Sequence, residues 1–345
     1  FFSLRRPDTT PASGQGMTSQ RLSETASKLD AASKLLQAKP EQSLIGDVGR
    51  AHGDARSAAA SLAQQARALH LFDILDAPET QAVACIADLD RHAAVYATCA
   101  GLFLSLCGGV VHKLAASPCA DVLRCAAQLL RKTAARQAQA SDVGRLEAAV
   151  DAVGRLAWQP GSAAVLLIER QEGLMRDALQ ELLEAVEEGA GEQGEGEGEE
   201  EEEEELIHQP ALALAVRQLL ESTLSTVHAS RAAAVRSTAD SGQSRLAEQL
   251  SAGAKAASQL VDSLVCALVH EDDADGVASY STSLGKVVRK LNSLGAGGAD
   301  AGAAALDTLV ERCVTFTKRA AGEEGDEGAV LSATAQLANA SLKST

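Results

Sequence analysis

Residues 210–227 read PALALAVRQLLESTLSTV. The leading proline suits the first turn of an α-helix, because its missing N–H would have no partner there. Behind it, apolar or small residues recur at the three- and four-residue steps of a helix, at Leu212, Val216, Leu219, Thr223 and Val227. This spacing places an apolar seam along one side of a long helix. The stretch therefore predicts a helix that packs lengthwise in a bundle.

The same period recurs on both sides of this stretch and predicts a succession of helices. Upstream, we expect helices at 18–40, at 43–75, from Pro78, from Pro118 with Ser117 as cap, from Ser141, and at 160–188. Downstream, we expect helices at 243–270, 277–294, 299–321 and 329–342. No alternating pattern typical of strands stands out.

Composition favours the same fold class. Aromatic residues make up only 2% of the 345 residues and hydrophobic residues 46%, with alanine and leucine dominant. Alanine and leucine are strong helix formers, whereas sheets draw on aromatic and β-branched side chains. A chain of this length also has room for two domains. The predicted fold class is all-α.

A run of glutamates divides the predicted helices into two groups. Residues 191–205 read GEQGEGEGEEEEEEE, and ten of these fifteen residues are glutamate. Such a dense charge repels itself and has nothing to bury, so it predicts disorder. The predicted domains are a disordered N-terminal extension (1–17), a helical bundle (18–188), a disordered acidic linker (189–206) and a second helical bundle (207–345). A solvated tether is the leading interpretation of the run, and an acidic bait for a basic partner is the alternative.

The first residues precede a methionine that stands just before a good helix start. Residues 1–16 begin FFSLRRPDTT and contain no apolar core long enough for a signal peptide. We interpret them as an extension of the gene model before Met17. A short transit peptide is the alternative, because Arg5 and Arg6 occur with a single acidic residue.

The charge of the chain argues against several kinds of partner. The formal net charge is −16, and subtracting the ten glutamates of the run leaves −6. No strongly basic face is evident, so direct binding to DNA or RNA through phosphates is not predicted. The few aromatic residues offer little for stacking on single-stranded bases. An acidic surface also repels anionic lipid headgroups.

One uncharged stretch has the length of a membrane span. Residues 93–111 read AAVYATCAGLFLSLCGGVV, and these nineteen residues carry no charge. Alanine, glycine, threonine, serine and cysteine keep their hydrophobicity modest, and a helix in the middle of a bundle also loses its polar face. We therefore interpret the stretch as a central, buried bundle helix, with a membrane span as the alternative. No membrane span is predicted.

The cysteines show no metal-binding or redox spacing. The sequence contains seven cysteines, an odd number, and no C-x-x-C motif. Most of them stand among alanine, leucine and valine. They are Cys85, Cys99, Cys107, Cys119, Cys125, Cys266 and Cys313. We interpret them as small hydrophobic residues in a reducing compartment. No metal or other cofactor is predicted.

One acidic segment resembles the opening of a calcium-binding loop. Residues 271–276 read EDDADG, but the twelfth position of such a loop would be Thr282, which cannot supply the required bidentate carboxylate. We expect a solvated turn instead, with Asp273 or Asp275 near the start of the next helix. The sequence also contains no H-E-x-x-H, G-x-S-x-G or phosphate-binding loop. No catalytic, cofactor-binding or metal-binding residue is predicted, and the chain is expected not to be an enzyme.

The order of several segments resembles a known family. PGSAAVLLIERQEGLMRDALQELLEAVEE (160–188), then the acidic run, then LIHQPALALAVRQLLESTLSTV (206–227) resemble the centre of the cyclin-D-binding protein family, also called GCIP or HHM. AVYATCAG followed by VVHKLAAS is similar to the family's central helix region. LVDSLVCALVHEDDADGVASYSTSLGKVVRKL (260–291) resembles its C-terminal part. The resemblance covers roughly residues 40–320.

The resemblance implies two associated antiparallel helical bundles and a role without catalysis. It implies binding to cyclin D and to helix-loop-helix-type transcription factors, restraint of the cell cycle, and a cytoplasmic and nuclear location. The family lacks a basic DNA-contacting segment, and this chain likewise has none before its helices. No motif fixes the partner-binding residues or the oligomeric state. A cytoskeletal adaptor of the vinculin or talin type is the alternative, because such bundles share long helices rich in alanine and leucine.

Overall fold

The computed structural model describes residues 13–38, 46–71, 76–192, 207, 209–236, 241–295 and 301–320. These residues form ten α-helices and contain no strand, which confirms the all-α prediction. The helices are α1 (Ser13–Gln37), α2 (Val48–Leu71), α3 (Glu79–Leu106), α4 (Gly109–Ala134), α5 (Ala140–Gly154), α6 (Pro160–Glu192), α7 (Pro210–Val235), α8 (Ser241–Val269), α9 (Ala274–Gly295) and α10 (Ala301–Ala320).

The chain divides into two compact units, which we call unit 1 (1–163) and unit 2 (164–345). The division lies near the start of α6, so it differs from the predicted bundles 18–188 and 207–345. Most of α6 belongs to unit 2, where its carboxylates pair with cations of α7. A hydrophobic period shows that a helix is amphipathic but not which helices cover it, so the sequence could not assign α6.

The helices of unit 1 pack along their lengths. Helix α1 lies against α4 and α3, helix α2 against α3 and α5, and helix α4 against α5. The direction of α2 relative to α5 follows from two contacts. The His52 Nε2 atom lies 2.9 Å from the carbonyl oxygen of Val153 near one end, and Arg67 pairs with Glu147 nearer the other. The two helices therefore run antiparallel.

The core of unit 1 consists mainly of leucine and alanine, with two buried aromatic side chains. Tyr96 and Phe103 of α3 are fully buried. The Tyr96 hydroxyl donates a hydrogen bond of 2.7 Å to the carbonyl oxygen of Cys119 in α4, so its one polar atom is satisfied. The ring of His52 lies 5.3 Å from that of Phe103, centroid to centroid. The core thus joins α2, α3 and α4.

Helix α9 lies at the centre of unit 2, against α7, α8 and α10. Two glycines allow its close approach to neighbours. A Cβ atom on Gly253 of α8 would lie 2.6 Å from Leu291 Cδ2, and one on Gly285 of α9 would lie 2.7 Å from Val310 Cγ2. Real Cβ atoms do not make contacts this short, so a side chain at either position requires the neighbour to move.

The uncharged stretch 93–111 is not one helix, which corrects the sequence interpretation. Helix α3 ends at Leu106 and α4 begins at Gly109. Between them, Cys107 has a ψ angle of 139° and Gly108 one of 163°, both far from helical values. The break falls at Gly108-Gly109, where glycine has low helix propensity. The nineteen residues therefore form neither a single central helix nor a single helical span.

Pro118 lies inside α4, so the predicted helix start at this residue is wrong, and Ser117 is not a cap. A proline inside a helix removes the hydrogen bond to the carbonyl four residues earlier, here Leu114. The helix starts at the glycine pair because the extended backbone of Gly108 ends the preceding helix. Helix α5 is likewise capped by the reciprocal pair Gln139 and Asp142 rather than by Ser141.

Several predictions concern residues outside the described ranges. These are the N-terminal segment 1–12, the acidic residues 193–206 and the predicted helix 329–342. The first residues of the predicted linker, 189–192, are helical and continue α6.

Candidate interaction surfaces

The acidic turn after α8 caps the next helix. The Asp273 carboxylate accepts a hydrogen bond from the backbone N–H of Gly276 at 2.9 Å, and the Asp273 carbonyl accepts one from Val277 at 2.9 Å. This is the geometry of a helix N-cap, so the predicted position of Asp273 at a helix start is confirmed.

The described residues contain no group of three or more histidine, cysteine, aspartate or glutamate side chains placed to hold a metal ion.

The cysteines are free thiols, and burial makes three of them poor nucleophiles. Cys107, Cys119 and Cys313 are buried, whereas the other four are partly exposed. Burial raises the pKa of each of these three thiols to about 12. They are therefore protonated at neutral pH, whereas the thiolate is the reactive form. The interpretation as small buried hydrophobic residues is confirmed for these three cysteines.

A buried carboxylate joins α6 to α7 in unit 2. Glu172 is 1% exposed, and one of its oxygens accepts a hydrogen bond from Arg176 at 3.1 Å and lies 3.6 Å from Arg231. Its other oxygen lies 3.4 Å from His228 Nδ1 but accepts no hydrogen bond from the described residues. Arg231 also pairs with Glu169. A shift of α6 along α7 would separate Glu172 from Arg231 and His228, so these contacts hold the register of the two helices.

A groove of about 430 Å³ lies between α1 and α3 in unit 1. Its lining includes the apolar residues Met17, Val83, Ile86 and Ala87. Lys28 pairs with Asp90 at 3.0 Å across the two helices, and Gln20 donates a hydrogen bond of 2.9 Å to Glu24. One ion pair therefore crosses the groove, and the neutral Gln20 does not compensate the charge of Glu24.

A second surface of unit 1 exposes apolar side chains. On α3, Val95 is 50% exposed and Leu102 is 45% exposed. A groove of about 210 Å³ beside Val95 separates α3 from the small residues Ala58 and Ser61 of α2. We call this surface the α2–α3 face, and it consists of Asp54, Ala58 and Ser61 of α2 with Arg91, His92, Val95, Cys99 and Leu102 of α3.

The α2–α3 face was not predicted from the sequence, because the absence of charge in 93–111 was interpreted as burial of the helix. In the structure, Tyr96 and Phe103 face the core, whereas Val95 and Leu102 remain half-exposed on another side of the same helix. Both pairs have a spacing of seven residues, which places each pair on one side of a helix. That spacing was the available signal.

One helix within the described residues, Arg245–Val269 in α8, is long and apolar enough to cross a membrane. Of its most apolar window, 44% is buried inside the protein. Core helices of bundles meet the same criterion, so this property alone does not identify a membrane span.

No protein-family model and no curated protein matches the chain. Membership of the cyclin-D-binding family is therefore a proposal.

Proposed function

We propose that this chain is a non-enzymatic regulator of cell-cycle progression that acts by binding D-type cyclins or helix-loop-helix-type transcription factors, in the cytoplasm and the nucleus. The choice of partners rests on the order of sequence segments that resembles the cyclin-D-binding family. The interaction role rests on one structural observation. The α2–α3 face leaves two large apolar side chains half-exposed beside a groove, on a helix whose inner side is packed.

Val95 lines the groove and Leu102 lies two helical turns further along the same side of α3. Exposed apolar surface of this kind is found at protein-binding sites. Grooves between helices bind the apolar side of a partner helix, which uses anchors spaced at helical intervals. Helix-loop-helix-type partners present helices. The α2–α3 face is therefore suited to the same kind of contact that holds the bundle itself together.

Direct binding tests this function. The full-length chain is immobilised and titrated in separate experiments with a purified D-type cyclin and with the helix-loop-helix domain of a transcription factor. We expect saturable binding of at least one of them at micromolar concentration or below. A failure of both to bind would contradict the proposal. Recovery of actin-linked proteins without cyclins from native lysate would then favour the cytoskeletal adaptor.

A further inference from the structure

We propose that His270 is a pH-dependent switch that controls whether the C-terminal end of α6, residues 183–192, stays docked in unit 2. Protonation of the imidazole strengthens the contact of α6 with the end of α8, and deprotonation weakens it. The inference goes beyond the proposed function and depends on neither of the proposed partners.

One polar contact joins α6 to the end of α8. The His270 Nε2 atom lies 2.7 Å from the Oε1 atom of Glu181 in α6. His270 follows the last residue of α8, and its backbone N–H donates a hydrogen bond of 2.9 Å to the Cys266 carbonyl, so α8 positions it. The imidazole and the carboxylate are each about half-exposed. Solvent protons can therefore reach the contact without any opening of the fold.

His270 lies among carboxylates. Asp262, Cys266 and His270 follow one another at four-residue steps, which places them along one side of α8, and Glu271 comes next in the chain. The pKa of the Cys266 thiol agrees with this placement, since it is raised by desolvation and then by the charges of Glu271, Asp262 and Glu181. When His270 is neutral, the carboxylate of α6 thus faces two carboxylates of the α8 end.

No permanent cation compensates this group. Within the described part of the chain, Glu181 forms an ion pair with His270 alone, and Arg176, five residues earlier in α6, pairs with Glu172 instead. The neutral imidazole can already donate a hydrogen bond to Glu181. Protonation adds a positive charge, and hydrogen bonds between ionised groups are about twice as strong as neutral ones. The contact is therefore weaker when the imidazole is neutral.

The sign of the pH effect follows from the charges. Histidine is the side chain that ordinarily changes its charge between about pH 5 and 8, whereas free carboxyl groups are ionised above about pH 5. The attraction between imidazolium and carboxylates is therefore fully present in mildly acidic solution. It is lost as the pH rises towards 8, which leaves the repulsion between the carboxylates of the two helices.

The end of α6 has little else to hold it. Leu182 is fully buried, but none of residues 183–188 is. The last turn of α6 contains no basic residue, whereas Glu184, Glu187 and Glu188 stand close before it. Negative charge near the C-terminus of a helix is unfavourable, because the backbone carbonyls there already carry partial negative charge. A modest change in the contact beside Leu182 can therefore shift the balance between docked and open forms.

Opening of this end would change the chain beside the acidic run. Residues 183–190 directly precede the run at 191–205. Release of Glu184, Glu187 and Glu188 from the helix adds three glutamates to a segment that already contains ten. The protein would then present a longer acidic segment at neutral pH than in mildly acidic solution.

His228 provides a matched comparison, because it also faces a carboxylate of α6. Its Nδ1 atom lies 3.4 Å from Glu172. Arg176 and Arg231 already approach that carboxylate to 3.1 and 3.6 Å, and Arg231 also pairs with Glu169. Two arginines balance two carboxylates there, so a charge on His228 would have no uncompensated carboxylate to neutralise. His228 should therefore not act as a switch.

Hydrogen exchange of the full-length protein tests the switch. Exchange of residues 183–188 is measured by mass spectrometry at pH 5.5 and pH 8, with rates corrected for the intrinsic effect of pH. His270→Gln keeps a neutral donor and removes the charge. At pH 5.5 the wild type should be about threefold better protected than this variant, as for an exposed charge pair, and at pH 8 the two should be equal. Equal protection at pH 5.5, or an undiminished difference at pH 8, would overturn the proposal.

Comparison at one pH cancels the titration of the glutamates, because wild type and variant share them. His228→Gln is the control, and it should leave the protection of 183–188 unchanged at both pH values. Circular dichroism checks that both variants fold, as expected for exposed side chains. A loss in the control as large as that in His270→Gln would show that the effect is not specific to His270 and would overturn the proposal.

Glu181→Gln identifies the partner of the charge. In this background, His270→Gln should no longer change the protection of 183–188 at pH 5.5, because the carboxylate of α6 that attracts the imidazolium is gone. If His270→Gln still causes its full loss there, the imidazolium acts through another group and the proposed switch is wrong. Loss of the effect supports the His270–Glu181 contact as the switch.

Discussion

The Tyr96 hydroxyl and the Cys119 carbonyl oxygen form a hydrogen bond of 2.7 Å between α3 and α4, at the residue that follows the internal proline of α4. Both groups are inside the apolar core of unit 1. A buried hydroxyl without a partner would be costly, so this bond restricts which carbonyl of α4 can lie opposite Tyr96. It therefore specifies the register of the two helices as well as their proximity.

Removing this hydroxyl should weaken unit 1 without disturbing its shape. Tyr96→Phe keeps the buried ring and loses one hydrogen bond, so we expect a loss of about 1 kcal/mol in the free energy of unfolding. Urea denaturation followed by circular dichroism measures it. Tyr280→Phe is the control, because the Tyr280 hydroxyl makes no hydrogen bond with the described residues. Equal stability of wild type and Tyr96→Phe would refute a structural role for the bond.

Asp142 should stabilise the protein at neutral pH and lose this effect in acid. The Lys132 ammonium at 2.5 Å and the backbone N–H of Gln139 at 3.0 Å lower its pKa. A lowered carboxyl pKa gives stability that is present above the ordinary aspartate value near 3.9 and is lost as the pH falls through the lowered value.

Asp142→Asn therefore tests a charge effect in the α4–α5 connection. We expect a loss of about 1–2 kcal/mol at pH 7. The stabilities of variant and wild type should converge in strong acid, as measured by urea unfolding across the pH range. The control is Asp151→Asn, whose side chain is 71% exposed and should contribute little. A difference that persists unchanged into strong acid would show that the charge is not responsible.

Replacing the internal proline of α4 should stabilise the protein. Pro118→Ala restores an N–H for the Leu114 carbonyl, and a proline inside a helix costs about 3 kcal/mol. Greater freedom of the unfolded chain offsets about 1 kcal/mol of the gain. We expect a net gain of about 1–2 kcal/mol and a higher melting temperature. Pro210→Ala at the exposed start of α7 should give no such gain. A loss of stability in Pro118→Ala would show that the fold requires the proline.

The ion cluster of unit 2 should respond differently to the loss of each charge. Arg231→Met leaves the buried Glu172 carboxylate with fewer cations, and we expect a loss of about 2–3 kcal/mol. Glu172→Gln leaves cations that can reach water, so we expect a smaller loss of stability, about 1 kcal/mol. Chemical denaturation of both variants measures the two losses. Arg217→Met on the same helix, where the pair with Glu221 is about half-exposed, should cost less than about 0.5 kcal/mol. Equal losses of stability in all three variants would contradict a special role for the buried Glu172 carboxylate.

The acidic run is tested by removing its charge while keeping its length. Replacing all glutamates of 195–205 by glutamine should leave the melting temperature unchanged if the run is a tether. Affinity for a cyclin or helix-loop-helix partner should then be the same at low and high salt. If the run is a bait, the variant should bind more weakly, and the loss should shrink at high salt because screening already removes the attraction.

Sequence patterns predicted the helices well because burial of one side leaves a period that can be read locally. Their ends were harder to predict. Proline was taken as a helix start, correctly at Pro160 and Pro210, yet Pro118 is inside α4 because a helix can tolerate one missing hydrogen bond. Asp273 was placed correctly because capping depends on neighbouring backbone groups.

Contacts between helices that are far apart in the chain could not be predicted from local sequence patterns. The pairing of Glu172 with Arg231 joins residues far apart in the chain, and nothing in α6 alone indicates that α7 covers it. The exposure of Val95 and Leu102 was missed for the same reason, since an uncharged helix has the same composition whether one side or all sides are covered.

The two close glycine contacts of α9 imply an uneven tolerance to inherited variation. A missense change in a glycine codon introduces a side chain, and alanine is the smallest. At Gly253 the opposing atom is the end of Leu291, which can rotate about two side-chain bonds and give way. At Gly285 it is a methyl group of Val310, which branches at Cβ and has one strongly preferred rotamer in a helix. Population variants at codon 285 should therefore be rarer than at codon 253, although both residues are glycines in the same small bundle.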